Sequence, residues 1–532
     1  MPKRSRNPSS SNPLSDARKG VGIAQKKTID LWHRKSGAGY HLFLEYYASQ
    51  PRGVVADAAD FEGAGNTCTT SVQLMSSNSK AVPPKVGAGM SRAAKKRQKK
   101  KAKTSTVKES CAEATSIANE FVPVDDEISN ISAPASNKDS SNPLIQAFAS
   151  KLNHRHLASY VTALASPLPL TFRIRKNESS STEELKETLA KQYTHHITPV
   201  SYDPSKSIYQ STKSSGLSKS TLGTIPQLKE LIVSASTNGS IARQEIGSML
   251  PVLALKHVHA ITPGAKCLDL CASPGSKTLQ ALEIVAQGGK GRIIANDVHA
   301  GRLDSLKDAV SRSGLPKHYT SRVTYTNYDA SSFPPPKSGN LFDAIICDVP
   351  CSGDGTIRKD KHILPMWTPG VSNELHRLQL QVLNRALTLV KVGGFVCYST
   401  CSLNPVEDEA VVAAALQQVV NEGGNSRRVE LVDWPNDLLS GFIRRPGVVD
   451  WKVGFYHDQS SDIVEEGAGD FGSISFYANE RDAKEAGMDT NVTLWPPESS
   501  KIDELHLDRC LRLLPQDNDT GGFFVAIFKR LK

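Results

Sequence analysis

No apolar run in the sequence approaches the roughly 18 residues that a membrane-spanning helix needs, so none is expected. The opening stretch MPKRSRNPSSSNPLSDARKG is polar and lacks the apolar segment of a secretory signal. Cysteine is sparse, 9 in 532 residues, and without such a signal the thiols are expected to stay reduced, in the cytosol or nucleus. Each cysteine is then a core residue, a nucleophile or a ligand, and not a staple. Aromatic residues make up 6 % and hydrophobic residues 39 %, enough for a sizeable core in only part of the chain. No internal repeat is evident, which sets aside solenoids and propellers.

Positive charge is what the chain has in excess. A net charge of +10 and a pI of about 9.0 favour an anionic partner, nucleic acid or an acidic membrane surface. Part of the excess sits in Arg92–Lys103 (RAAKKRQKKKAK), eight basic residues in twelve. That tract reads as nuclear import, nucleic-acid binding or a solvated charge run. Around it, residues 49–142 are rich in Ser, Ala, Gly and Lys and cannot bury enough surface to offset their ordering entropy. Residues 1–27 read the same way, and a short helix is expected near 30–48, with Tyr40, Phe43, Tyr46 and Tyr47. Residues 1–142 are thus expected to form a largely disordered extension carrying a basic insertion.

Order is expected to resume at Pro143. Residues 143–235 read as a small α+β domain: helical apolar spacing, a Pro-punctuated turn, the strand Leu170–Ile174, and a Ser/Lys/Thr-rich linker at 204–222. The remainder, 236–532, alternates strand and helix patterns. Strand-like runs lie at 266–270, 291–297, 322–327, 342–349 and 393–399, with helix-length segments at 277–287, 300–313 and 373–391. Such alternation implies right-handed βαβ units and an α/β fold with a doubly wound, mostly parallel sheet. A further strand at 521–529 follows an insertion over about 421–519.

Ligands of such sheets bind beyond the carboxyl ends of the strands. After the run KCLDL comes Cys271-Ala272-Ser273-Pro274-Gly275-Ser276-Lys277, a tight loop opening a helix. It offers backbone N–H groups to a ligand, although it is neither a dinucleotide fingerprint nor a P-loop. Asp297 ends the next strand, placed for ribose hydroxyls or for capping a helix. Asp329 follows the third, placed for a base edge or for capping its own turn. The fourth strand ends in Asp348-Val-Pro-Cys351 and the fifth in Tyr398-Ser-Thr-Cys401. Two thiols at neighbouring strand ends suit nucleophilic chemistry, with a pKa lowered by nearby helix N-termini. Cys267/Cys271, Cys347/Cys351 and Cys397/Cys401 share a C-x3-C spacing, but the first of each pair lies inside an apolar strand. No metal is expected from that pattern.

These pieces resemble the Nop/Sun-type RNA 5-methylcytosine methyltransferases. The matching motifs are Asp269–Thr278, Ala295-Asn-Asp297, Asp348–Thr356 and Tyr398–Glu409, in the family's order across most of 240–420. Phe172-Arg-Ile-Arg175, Arg358-Lys359, Leu505–Pro515 and Thr520–Ala526 resemble the tRNA-modifying branch. Ser273 stands where the family more often has Ala, and the long basic insertion is unusual.

The resemblance implies a Rossmann-like fold with an RNA-recognition domain before it, and S-adenosyl-L-methionine as cofactor. It implies that Cys401 attacks carbon 6 of cytosine and that Cys351 helps resolve the adduct. Asp348 would bind the cytosine edge, residues 271–277 the cofactor, Asp297 its ribose and Asp329 its adenine. Arg173, Arg175, Arg358 and Lys359 are candidates for RNA phosphates. The expected partner is RNA, in particular tRNA, with no membrane and a monomeric chain. The expected location is the nucleus, the nucleolus included, with the cytoplasm as alternative. An rRNA substrate and a catalytically silent RNA-binding protein are the competing readings.

Overall fold

The strand-like runs between residues 266 and 400 carry apolar residues on both faces, so each needs cover above and below. A computed structural model of the chain describes residues 42–43, 45–51, 54–55, 155–175, 180–421, 429–457 and 473–532. The expected extension 1–27, the basic tract 92–103 and the low-complexity stretch over 56–142 lie outside the described residues. Of the helix expected near 30–48, residues 42–43 and 45–49 are described and are helical.

An antiparallel sheet comes first, built from β1 (Thr171–Ile174), β2 (Ile197–Pro199), β3 (Ile208–Ser211) and β4 (Ile241–Arg243) in the order β2-β3-β1-β4. The helices Ser180–Gln192 and Pro226–Thr237 contribute Leu185, Leu189, Leu228 and Ile232 to its core, where Phe172 stacks on Tyr209 at 5.5 Å. Residues 204–222, expected as a linker, instead supply β3, an interior strand of this sheet. Two apolar residues suffice there: Ile208 and Tyr209 are buried, while the polar remainder satisfies turns.

The larger sheet holds β5 (Lys266–Asp269), β6 (Arg292–Asn296), β7 (Val323–Thr326), β8 (Phe342–Asp348) and β9 (Val390–Thr400). They run parallel in the order β7-β6-β5-β8-β9. β15 (Phe523–Arg530) pairs antiparallel with β9, and β14 (Leu511–Leu513) and β11 (Arg445–Pro446) continue the sheet. β10 (Val429–Leu431) also pairs with β15, while β12 (Val453–His457) and β13 (Ser473–Tyr477) form a separate hairpin. The segment 421–519, expected as an insertion, therefore supplies three strands of the main sheet.

Period-two alternation sends Cys267, Ala344, Ile346 and Cys397 to one face, against the helices Ile246–His257 and Ser276–Val285. Leu268, Ile345, Cys347 and Val396 go to the other, against Pro369–Leu389 and Glu409–Asn421. Full burial of one such aliphatic side chain contributes about 1.5–3 kcal/mol. Strand order reverses between β5 and β8, and the crevice at their carboxyl ends is where the site forms.

The two sheets are fastened by guanidinium groups. Arg173 donates to both carboxylate oxygens of Glu283 (2.8 Å to Oε1) and Arg175 to Glu283 Oε1 at 2.7 Å. Arg175 also donates to the carbonyls of Gly239 and Ser313, at 3.1 and 2.6 Å. Arg358 meets Asp519 at 2.6 Å and the carbonyls of Ser166, Pro167 and Thr520. These three arginines, expected at RNA phosphates, are buried and bonded within the fold. Of that set only Lys359 is exposed.

Candidate active site

β5 ends at Asp269, and the chain must then turn into the helix Ser276–Val285 within six residues. Gly275 makes the turn with φ 109°, a conformation that side chains disfavour, and a Cβ there would meet Leu306 Cδ1 at 2.5 Å. The loop is pinned to β6, since the Ala272 amide donates to the Asn296 carbonyl at 2.8 Å. The Ser273 amide donates to Asp297 Oδ2 at 3.3 Å. The other oxygen of Asp297 accepts the His299 amide at 3.0 Å, so this buried carboxylate both braces the loop and turns the chain into the next helix. Asp329 is exposed, and its Oδ1 accepts the Ser331 amide and hydroxyl at 2.9 and 2.8 Å, capping its own turn.

A cavity of about 220 Å³ opens on the loop. Its wall brings together Asp269, all of Cys271–Lys277, Asp348, Cys401, Lys359 and Phe523. Lys277 Nζ donates to Asp348 Oδ2 at 2.7 Å and to Ser248 Oγ at 3.1 Å. Burial works against the Lys277 ammonium, but Asp348 outweighs it and holds its pKa above the usual value. The Ser399 hydroxyl donates to Asp348 Oδ1 at 2.6 Å, so both oxygens are held.

Asp269 accepts the Thr278 hydroxyl at 2.6 Å on Oδ2, while its buried Oδ1 has no hydrogen-bond partner. Burial pushes this carboxyl from its ordinary 3.8 up to about 7, with Thr278 opposing and Asp348 adding to the push. A folded value above the unfolded one means that the protonated form stabilises the fold. That contribution is complete below about pH 4 and is lost as pH rises through about 7. Asp269→Asn should therefore melt several degrees above the parent protein near pH 8, the gap closing toward pH 5. An equal gap at the two pH values would show an ordinary carboxyl.

The two strand-end thiols meet. Cys351 Sγ lies 3.2 Å from Cys401 Sγ, with Cys401 on the cavity wall. The Cys351 thiol does not have the lowered pKa expected at a strand end. Its hydrogen bond to Cys401, then burial, then the charge of Cys401 and that of Glu407 push it well up. Burial also pushes up Cys271 and the strand thiols Cys267, Cys347 and Cys397. No group of three or more His, Cys, Asp or Glu side chains suited to a metal occurs among the described residues.

Below the thiols is a buried polar frame to which the motifs gave no role. Glu407, fully buried, accepts the Ser352 amide at 2.8 Å and its hydroxyl at 2.5 Å. It also accepts from Ser402 at 2.6 Å, Ser372 at 3.0 Å and Gln379 at 2.9 Å. One carboxylate thus ties the residue after Cys351 to the residue after Cys401. Asp354 accepts the Leu403 amide at 2.8 Å and the Tyr47 hydroxyl. Burial, then Glu407, push its carboxyl up to about 6. The Gly355 amide donates to the Cys401 carbonyl at 2.9 Å, and a Cβ at Gly355 would meet that oxygen at 2.6 Å. The unbroken acidic run Glu407-Asp408-Glu409 before an apolar helix was the available sequence signal.

Sheet order, the β5 loop at the switch point and the crevice beyond it define a Rossmann-like methyltransferase fold. Residues 257–431 match the family model described as 16S rRNA methyltransferase RsmB/F, so the chain carries an RsmB/F (Nop/Sun) methyltransferase domain. It is 34 % identical over 416 residues to the multisite-specific tRNA:(cytosine-C(5))-methyltransferase trm4b of Schizosaccharomyces pombe, covering 70 % of this chain and 56 % of that one. It is 35 % identical over 317 residues to the multisite-specific tRNA:(cytosine-C(5))-methyltransferase of Saccharomyces cerevisiae, covering 57 % and 41 %. The chain thus spans about half the length of these curated relatives. Among solved structures, NSun6 from Pyrococcus horikoshii with SFG superposes with a TM-score of 0.46 at 17 % identity, covering 73 % of this chain and 98 % of that one.

Proposed function

We propose that the chain transfers a methyl group from S-adenosyl-L-methionine to carbon 5 of a cytosine in RNA, with tRNA as the substrate class. The observation that carries the reading is the pair of sulfurs 3.2 Å apart at the edge of the cavity that Lys277 and Asp348 line. Two thiols within reach of one ring suit a reaction that must both form and break a bond to that ring.

The cavity fits the cofactor. The loop Cys271–Lys277 lines it, and the unpartnered Asp269 Oδ1 is a buried acceptor that a cationic ligand would satisfy. Residues 271–277 would hold it, Asp297 its ribose and Asp329 its adenine edge. Bound there, S-adenosyl-L-methionine supplies an electrophilic methyl group.

Carbon 5 of cytosine is a poor nucleophile until a thiolate adds to carbon 6. Cys401, on the cavity wall, is the attacking group. Asp348, held by Lys277 and Ser399, receives the polar edge of the base and favours charge developing on the ring. Cys351, its sulfur 3.2 Å from that of Cys401, sits where it helps release the product as the proton leaves carbon 5. The target base must leave its stack, so unpaired or distorted RNA is preferred. Lys359 at the rim and the overall charge of +10 favour phosphate contacts that weaken with salt. The basic tract 92–103 supports a nuclear site of action.

A second reading keeps the chemistry and changes the substrate to rRNA; it rests on the description of the matching family model. The test is transfer of labelled methyl from the cofactor into total RNA, with tRNA and rRNA separated and digested to nucleosides. Label in 5-methylcytidine of tRNA is the expected result. Label confined to rRNA selects the second reading, and no label from cofactor-binding protein favours a silent RNA-binding chain.

A further inference from the structure

Tyr46 and Tyr47 precede the cysteine loops by some three hundred positions, yet they bond to them. The Tyr47 hydroxyl donates to Asp354 Oδ2, and the Tyr46 hydroxyl donates to Asn404 Oδ1 at 2.7 Å. Gln50 exchanges two hydrogen bonds with the backbone of Lys452, at 3.0 and 3.1 Å, which fixes the register of the segment. Phe43, Tyr46 and Tyr47 are at most 1 % exposed and pack with Trp367 at ring separations of 5.2–6.1 Å.

Packing alone would need only the rings. A phenol buried this completely must also find an acceptor, and here both acceptors belong to the reactive loops. Asp354 lies three residues beyond Cys351, and its other oxygen accepts the amide of Leu403, two residues beyond Cys401. Asn404 Oδ1 accepts the Val406 amide at 3.0 Å as well, and the backbone N–H of Asn404 donates to Ser402 Oγ at 3.0 Å. Ser402 in turn donates to Glu407, the carboxylate that ties the two loops together. Each tyrosine hydroxyl is therefore one bond from a group that sets the backbone of a cysteine loop.

We infer that Tyr47 and Tyr46 are positioning residues, which hold the Cys351 and Cys401 loops at their mutual spacing through Asp354 and Asn404. The segment thereby makes the two-thiol site depend on chain far upstream of the methyltransferase sheet. The inference rests on the function proposed above for its catalytic consequence, but the loop geometry can be read without any RNA.

The experiment compares the full chain with Tyr47→Phe, Tyr46→Phe and Phe43→Leu, the last altering the same aromatic cluster without removing a hydroxyl. Three quantities are measured: the thermal midpoint, the rate at which iodoacetamide alkylates Cys401 (located by mass spectrometry), and kcat and KM for methyl transfer to tRNA. For Tyr47→Phe, kcat is expected to fall about tenfold with KM unchanged, the worth of one hydrogen bond to a charged group. Cys401 should alkylate faster by about threefold or more as its partner sulfur is released. Tyr46→Phe should show the same pattern more weakly, and it decides the matter if Tyr47→Phe does not fold. Phe43→Leu should lower the midpoint and leave kcat and alkylation unchanged. Unchanged kcat and alkylation in both tyrosine variants overturn the inference, as does a rise in KM alone or an equal kcat loss in Phe43→Leu. Absence of methyl transfer by the parent protein would sink the proposed function, while the alkylation contrast would still decide this one.

Discussion

Cys401→Ala is expected to transfer no methyl above background and to form no covalent complex with RNA, whereas Cys351→Ala should remain trapped on its substrate. The geometry makes the contrast sharp. With the sulfurs 3.2 Å apart, a role based on proximity alone would make the variants equivalent. They differ in surroundings. Cys401 lies on the cavity wall with Lys277 and Asp348, where attack on carbon 6 is possible. Cys351 is not among the residues of that wall; its neighbour Ser352 is held by Glu407, which leaves Cys351 beside the nucleophile for the release step. Removing a covalent nucleophile costs at least about 10³-fold in turnover, because the stepwise route is lost altogether. Removing the release group leaves addition and methyl transfer intact and stalls the next step. Denaturing gels of protein with RNA and cofactor check both: a band resistant to detergent with Cys351→Ala, and none with Cys401→Ala. An adduct with Cys401→Ala would exchange the two roles.

The parts of this site that could be read in advance are those in which chemistry and chain position coincide. Each parallel strand is an apolar-containing run bounded by loops, and the reactive residues stand within a few positions of its end, so Asp297, Asp348, Cys351 and Cys401 could be placed from local pattern and topology together. What was hidden depends on partners far away in sequence. Arg173 and Arg175 look like any surface guanidinium until Glu283, more than a hundred residues on, takes them up. Arg358 is claimed by the carbonyls of Ser166, Pro167 and Thr520 in the same way. Composition hid β3 as well, since a strand whose only apolar residues are Ile208 and Tyr209, buried on opposite faces, reads as linker among serines and lysines. Asp329 shows the reverse case, where the local reading (a carboxylate turned back on Ser331) is the geometry adopted. Tyr46 and Tyr47 were visible as an aromatic cluster, but nothing local tells a tyrosine which carboxylate or amide it will meet.

The largest expected loss of stability comes from Arg512→Met. Arg512, on β14, is fully buried and donates to both carboxylate oxygens of Glu409, at 2.7 and 2.8 Å, and to the Leu403 carbonyl. Asp408 stands 3.7 Å away, its carboxyl pushed well up by burial with Arg512 as the opposing charge. Removing the guanidinium leaves Glu409 charged and uncompensated where water cannot reach, a change that costs about 3–5 kcal/mol. Against a typical stability of about 5–15 kcal/mol, that is a large share of the total. The urea midpoint should therefore fall far below that of the parent at unchanged slope. Adding Glu409→Gln removes the stranded charge while keeping an acceptor for the Val448 amide, which Glu409 now accepts at 3.0 Å. The double variant should regain more than half of the lost stability. It should not regain full methyl transfer, because the Leu403 carbonyl, two residues from Cys401, still lacks its donor. A single variant that loses less than about 1 kcal/mol would mean that this ion pair is worth no more than a surface one. A double variant as active as the parent would separate Arg512 from the thiol site and leave it a role in stability alone.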